Sequence, residues 1–260
     1  MKKYFPSAAF MAAFLILWQF LVFLFDVESW FLPSPLLILK TLVESSDLLI
    51  HHTITTIYET LWGFFASVVT AFILAVVMDT YPTIKKGIYP LLVVSQTIPI
   101  IFIAPLLMVW FGYGLLPKIF VVALVCFFPI VVSLVEGLES VDPDMVNLLL
   151  IMGATKSQIF RKVRFPAAFP SFFSGLKIAA TYSVMGAVIG EWLGASRGIG
   201  YFMILSSKSF RVDRVFAAIA LISFLSLAFF GLIELASRLA MPWHYKNEQI
   251  PQELYDDTNE

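Results

Sequence analysis

Of the 260 residues, 60% are hydrophobic and 13% charged, with 26 Phe, 6 Trp and 9 Tyr and a mean hydropathy of +0.88. An ordinary soluble domain carries roughly 45–50% apolar and about 25% charged residues, so a water-soluble enzyme is excluded and lipid is the solvent for most of this surface. The formal net charge of -1 gives no ground for nucleic-acid binding, and Cys126 stands alone in an apolar run, which removes disulfide frameworks and multi-cysteine metal sites.

A helix crossing a hydrocarbon core needs roughly 20 mostly apolar residues, and six runs meet that condition. Residues 1–7 form a short polar-to-apolar N-terminus with Lys2 and Lys3, and the transmembrane region is expected over 8–240. The first run, Ala8 to Phe25, has Gln19 as its one strongly polar residue and no small-residue cleavage site after it, so it is expected to stay as an anchor. Thr60 to Met78 is the second. Gly87 to Pro117 is the third, too long for a simple span and broken by Pro90, Pro99, Pro105 and Pro117. Prolines free backbone carbonyls that only neighbouring helices or a cavity can satisfy in a bilayer, so this segment is expected to pack inward. Ile119 to Val135 is the fourth, Phe172 to Leu193 the fifth and Val215 to Ile233 the sixth, and a polar tail follows over 241–260.

Six spans put both termini on one side. With the N-terminus inside, the inner segments hold ten Lys and Arg residues and the outer segments six, a bias that places both termini in the cytoplasm.

The inner loop between the fourth and fifth runs, residues 136–170, is unusually long and has helix signals of its own. Asp142 before Pro143 starts a short helix through about Ile151. Gly153 interrupts it. Thr155 and Gln158 have capping-box spacing, and Ile159, Phe160 and Val163 follow at helical intervals among Lys156, Arg161, Lys162 and Arg164. The pattern predicts two short helices about a glycine hinge at the cytoplasmic face. An amphipathic loop resting on anionic headgroups would show the same four basic residues.

The stretch from Asn147 to Pro166 resembles the cytoplasmic signature of the membrane subunits of binding-protein-dependent ABC importers: Glu-Ala-Ala, three residues, Gly, nine residues, then Ile-x-Leu-Pro. Gly153 and Pro166 fall at the matching positions, with Val163 and Phe165 standing for Ile and Leu. Asn147, Leu148 and Leu149 replace Glu-Ala-Ala, so Asn147 cannot supply that glutamate's charge. Leu32-Pro33-Ser34-Pro35, Gln96 to Gly112, and Gly198-Ile199-Gly200-Tyr201 extend the likeness to the branch serving nitrate, taurine, aliphatic sulfonates and vitamin precursors such as the thiamine pyrimidine.

The resemblance implies an all-α membrane protein with six transmembrane helices of the ABC importer permease (MetI-like) type, in the bacterial cytoplasmic (inner) membrane. Its implied partners are cytoplasmic ABC ATPase subunits, an extracytoplasmic solute-binding protein and a second copy of the chain. The coupling surface it implies comprises Asn147, Gly153, Ala154, Thr155, Lys156, Gln158, Ile159, Phe160, Lys162 and Pro166, with Ile159 and Phe160 as apolar knobs, Lys156 and Lys162 facing acidic groups, and Gly153 allowing close backbone approach. No phosphate loop of the Gly-x-x-x-x-Gly-Lys-Ser/Thr type occurs in the chain, so neither ATP chemistry nor a bound cofactor is expected here.

For the solute path, Gly186, Gly190 and Gly194 form a small-residue stripe on the fifth span, which serves helix packing at least as readily as a passage. Thr181, Tyr182 and Ser183 offer hydroxyls that could instead bond their own helix. Ser95, Gln96 and Thr97 before Pro99 are the densest uncharged polar cluster in any span. Lys177 can snorkel to the inner surface. Glu191 lies about 21 Å further along the same helix and is either a gate, a contact for the binding protein or an interfacial carboxylate. His51, His52 and His244 have no ligands at suitable spacing, so no metal site is expected. A self-contained secondary transporter or channel is the competing class. It would place paired ionisable groups at mid-membrane, where these six runs have none.

Overall fold

Pro99, Asp142 with Pro143, and Thr155 start helices as the sequence suggests, whereas Pro90 and Pro105 lie inside helices, in the computed structural model, which describes residues 5–247. Its regular structure is entirely helical: α1 (Phe5–Leu24), α2 (Pro35–Glu44), α3 (Ser46–Thr80), α4 (Pro82–Ser95), α5 (Ile100–Phe111), α6 (Leu115–Glu139), α7 (Pro143–Ile151), α8 (Lys156–Ile159), a π-helical turn (Phe160–Arg164), α9 (Phe165–Trp192), α10 (Ile199–Lys208), α11 (Val212–Ala240) and α12 (Pro242–Asn247). Ser34 caps α2 by accepting from the Leu37 N–H, with Pro35 in the first turn. Asp142 caps α7 through the Asp144 N–H, again with proline at the first position.

Among the described residues, five helices or continuous helical stretches are long and apolar enough to cross a membrane; α4 and α5 pass the same test only as a pair, bent by 101° at its break, which makes six spans if the pair is one broken span and five if it is a re-entrant loop. Pro99 sets that break, because the residue before a proline is driven out of the helical region and Pro99 itself has no N–H to continue the ladder.

The centre of the bundle is α6 against α9, with α3 as the third wall. Ala71, Ala75, Cys126, Ile130, Leu134, Ala179 and Ala187 are fully buried in it. Such close approach needs small residues. A β-carbon on Gly175 would lie 2.7 Å from the Pro129 carbonyl oxygen, and one on Gly186 would lie 3.2 Å from Val122 Cα. In contrast, α1 buries none of its residues. It touches the rest through Gln19 Oε1, which accepts from the Leu36 N–H at 3.2 Å, and through Trp18 against Phe216, 5.9 Å between ring centroids.

Three boundaries differ from the sequence expectation. Helix α3 begins at Ser46, well before Thr60, so Glu59 lies within it. Lys118, one of the six Lys and Arg residues expected in the outer segments, sits in the first turn of α6 and is buried. The second short helix of the long loop is no separate element: helical structure runs unbroken over Lys156–Trp192 into the fifth span. Pro166 falls in the first turn of α9, and the wide π turn just before it relieves the clash that a proline ring makes with the carbonyl four residues back. Of the expected tail over 241–260, α12 takes the start, and residues 248–260 lie outside the described residues, as do Lys2 and Lys3.

Candidate functional site

Three features stand out along the bundle, one at each end and one between them. At the end carrying the long loop, α7 leaves Leu148, Ile151 and Met152 exposed to 58%, 84% and 74%. They are spaced three and four apart, so they share one helical face. Gly153 then turns the chain with φ +84, a conformation that glycine adopts without steric cost. The turn is open on all sides, with nothing within 4 Å of a β-carbon placed there, so within the chain Gly153 supplies a backbone angle and not a close approach. Thr155 Oγ1 accepts from the Gln158 N–H at 3.3 Å, and Gln158 Oε1 accepts from the Thr155 N–H at 2.8 Å, completing a capping box.

The side chains of Asn147, Lys156 and Lys162 are exposed, Ala154 is half-buried, and Pro166 is exposed at the start of α9. Ile159 and Phe160 do not fit the role of outward knobs. Ile159 is 4% exposed, and Phe160 packs into the core with its ring stacked 5.9 Å from Phe165. They face inward because helical continuity from Lys156 fixes their direction toward the body of the bundle. The outward apolar surface belongs to Leu148, Ile151 and Met152, which the run of five apolar residues over 148–152 already signals. The joint beneath is braced by ion pairs between Arg164 and Asp79 at 2.9 Å and between Lys85 and Glu139. Removing the cap with Thr155→Ala is expected to cost about 1 kcal/mol locally, seen as faster amide exchange over 156–159 with the spans unchanged.

Midway along the bundle, the α4–α5 break opens a cavity of about 670 Å³ against α6 and α9. Ser95 and Gln96 line it together with Tyr182 of α9 and Ser133 of α6. The other polar candidates lie apart from it. Thr97 Oγ1 donates to the Val94 carbonyl, Thr181 Oγ1 to that of Lys177 and Ser183 Oγ to that of Ala180, so all three hydroxyls are turned to their own backbone. Gly186 and Gly190 face α6, where β-carbons would stand 3.2 Å from Val122 Cα and Lys118 Cα. Lys177 is paired with Glu234 of α11 at 3.0 Å.

At the far end, Glu191 is 1% exposed, which removes the reading of an interfacial carboxylate or a surface contact. Its oxygens accept from Thr56 Oγ1 and from the Gly200 N–H, each at 2.6 Å. Thr56 Oγ1 also accepts from the Ile199 N–H at 2.9 Å, and His52 Nδ1 accepts from the Gly198 N–H at 3.1 Å. These bonds satisfy the first amides of α10 and fix the 193–200 connection onto α3. Next to them Lys118 donates to Glu59 at 2.6 Å, both side chains buried. Glu59 is about 31 Å from Thr80 at 1.5 Å per residue, far from the loop end of α3. Among the described residues, no group of three His, Cys, Asp or Glu side chains is arranged to hold a metal ion.

The model of the family described as "Binding-protein-dependent transport system inner membrane component" matches residues 67–240. The chain is 38% identical over 220 residues to the formylaminopyrimidine transport permease protein ThiX of Halalkalibacterium halodurans, covering 84% of this chain and 88% of that one. It is 32% identical over 231 residues to the riboflavin transport system permease protein RibX of Chloroflexus aurantiacus, covering 88% and 86%. Among solved structures, a chain of the MetNI methionine ABC transporter in an inward-facing conformation superposes with a TM-score of 0.67 at 20% identity, over 75% of this chain and 97% of that one. That last likeness establishes the fold.

Proposed function

The chain belongs to the family of binding-protein-dependent transport system inner membrane components, a multi-pass permease subunit of an ABC importer, and from that premise we propose how it works and in what company. The loop from Asn147 to Pro166 is the docking surface for an ATPase subunit on the cytoplasmic side, so both termini are cytoplasmic. ATP is hydrolysed in that partner. A second copy of the chain completes the two-sided gate, and an extracytoplasmic binding protein delivers the solute at the end where Glu191 and α10 lie.

The observation that carries this is the face of Leu148, Ile151 and Met152. Apolar side chains exposed together at the tip of a loop outside the apolar spans cost free energy in water until a partner covers them. The Gly153 turn on one side and Ser140 on the other set α7 apart from the long apolar helices, as a docking element requires. ATP binding that closes two motor subunits would move α7, and the continuous helix from Lys156 to Trp192 would carry that motion to mid-bundle without a loose joint. The solute is small and is one of the kinds that the branch serves: a vitamin precursor or heterocycle of the sort named for the relatives, formylaminopyrimidine or riboflavin, or else a sulfonate, taurine or nitrate.

Purification of the tagged chain from native membranes in mild detergent is expected to retain an ATPase subunit. Solute uptake is expected to stop when cellular ATP is exhausted with the ion gradients held. Retention of no ATPase, with uptake that follows an ion gradient, would instead establish the secondary transporter.

A further inference from the structure

The mid-bundle cavity carries an inference about the chemistry of the solute, one that rests on the permease function and goes beyond it. Its depth is set by α6 residues 124–133 and α9 residues 178–185, which are central in helices of 25 and 28 residues. Most of the residues that line it are apolar. Among the described residues that line the cavity there is no Asp, Glu, Lys, Arg or His. The nearest ionisable residue along α9, Lys177, is held by Glu234.

Helix ends do not replace the missing charge. The carboxyl end of α4, at Ser95, and the amino end of α5, at Ile100, share one wall of the cavity, so partial charges of opposite sign meet there and neither sign of ion is favoured. An ionic group placed in such a site loses its hydration with no counter-charge, a penalty of several kcal/mol per ion. An uncharged ring loses little, and its faces gain contact with apolar walls.

The lining supplies those walls and a few directional polar groups. Phe127, Phe128 and Pro129 are apolar, while Gln96, Ser133 and Tyr182 present an amide and two hydroxyls. Ser95 lines the cavity too, but its hydroxyl donates to the Leu92 carbonyl at 2.7 Å. An amide offers donors and an acceptor in one plane, which matches the edge of a ring bearing nitrogen and amino or carbonyl groups. The volume of about 670 Å³ lies within the range of roughly 300–1,000 Å³ usual for small-molecule sites.

We propose that this cavity is a transit site for an uncharged, planar nitrogen heterocycle, read along its edge by Gln96, and that it disfavours solutes with a fixed ionic group such as sulfonates, nitrate or zwitterionic taurine. The test uses cells that carry the full chain with its native ATPase and binding protein, offered yeast extract supplemented with 4-amino-2-methylpyrimidine, taurine, methanesulfonate and nitrate. Solutes that accumulate only when the ATPase is intact are identified by mass spectrometry. The expected result is accumulation of neutral nitrogen heterocycles, lowered at least tenfold by Gln96→Ala, partly restored in Gln96→Asn, and accompanied by unchanged membrane levels of each variant. Accumulation of sulfonate, taurine or nitrate would overturn the solute class and leave the importer standing. So would heterocycle uptake at wild-type rate in both Gln96→Ala and Tyr182→Ala overturn the site. Absence of any ATPase-dependent accumulation would overturn the importer function itself, and this inference with it.

Discussion

Lys118→Met is expected to remove most of the folded protein, because it strands the Glu59 carboxylate in the bundle with no counter-ion. Glu59 and Lys118 are 1% and 7% exposed and bonded at 2.6 Å. Breaking one member of a buried pair typically costs about 3–5 kcal/mol, whereas removing both members together is often close to neutral. The double variant Lys118→Met with Glu59→Leu is therefore expected to recover most of the lost stability. Thermal unfolding in detergent, followed by the monodisperse fraction on size exclusion, compares the two. A double variant as unstable as the single one would show that the ammonium does more than neutralise Glu59, for instance by holding the neighbouring Glu191, Thr56 and Gly200 contacts in place.

A second large effect is expected at the loop. Ile151→Asp with Met152→Asp places two carboxylates on a face that is 84% and 74% exposed in the isolated chain, so folding and membrane insertion are expected to be unaffected. Docking of the ATPase would bury those charges, and uptake is expected to fall at least tenfold. Gly153→Val acts on the same joint from the backbone. At φ +84 a β-branched residue is strained by roughly 1–2 kcal/mol, enough to turn α7 away from its direction. Both variants inserted but uncoupled is the expected pattern, read as ATPase retention and uptake normalised to membrane level. Full ATPase retention in the aspartate pair would remove Ile151 and Met152 from the interface.

Much of this architecture is legible in the sequence because punctuation residues act locally. Asp142-Pro143, Thr155 with Gln158, and Pro99 each determine a cap or a break within a few residues, and the structure has each of them. Five of the spans follow from hydropathy alone, whereas the α4–α5 pair reaches that threshold only when its two bent halves are taken together. What the residues conceal depends on direction and on partners distant in sequence. Ile159 and Phe160 look like an exposed amphipathic face until the unbroken helix into α9 fixes which way they point. Glu59 lies just before an uncharged run, and its significance comes from Lys118, 59 residues away. Glu191 reads equally as a gate, a contact for the binding protein or an interfacial acid until α10 folds back and presents its first amides. Likewise Gln96 and Tyr182 belong to one cavity only because the α4–α5 bend brings them together, and Thr181 and Ser183, adjacent in sequence to Tyr182, are turned to the helix backbone instead.

The most direct test of ATP-driven import through a docked loop is solute uptake into proteoliposomes holding this chain, its native ATPase and the binding protein. ATP is supplied only on the side of the 147–166 loop, and the membrane potential is collapsed. Accumulation that requires ATP on that side and is lost in the Ile151→Asp, Met152→Asp variant is the expected result. Accumulation that persists without ATP, or that survives in that variant at the wild-type rate, would contradict it.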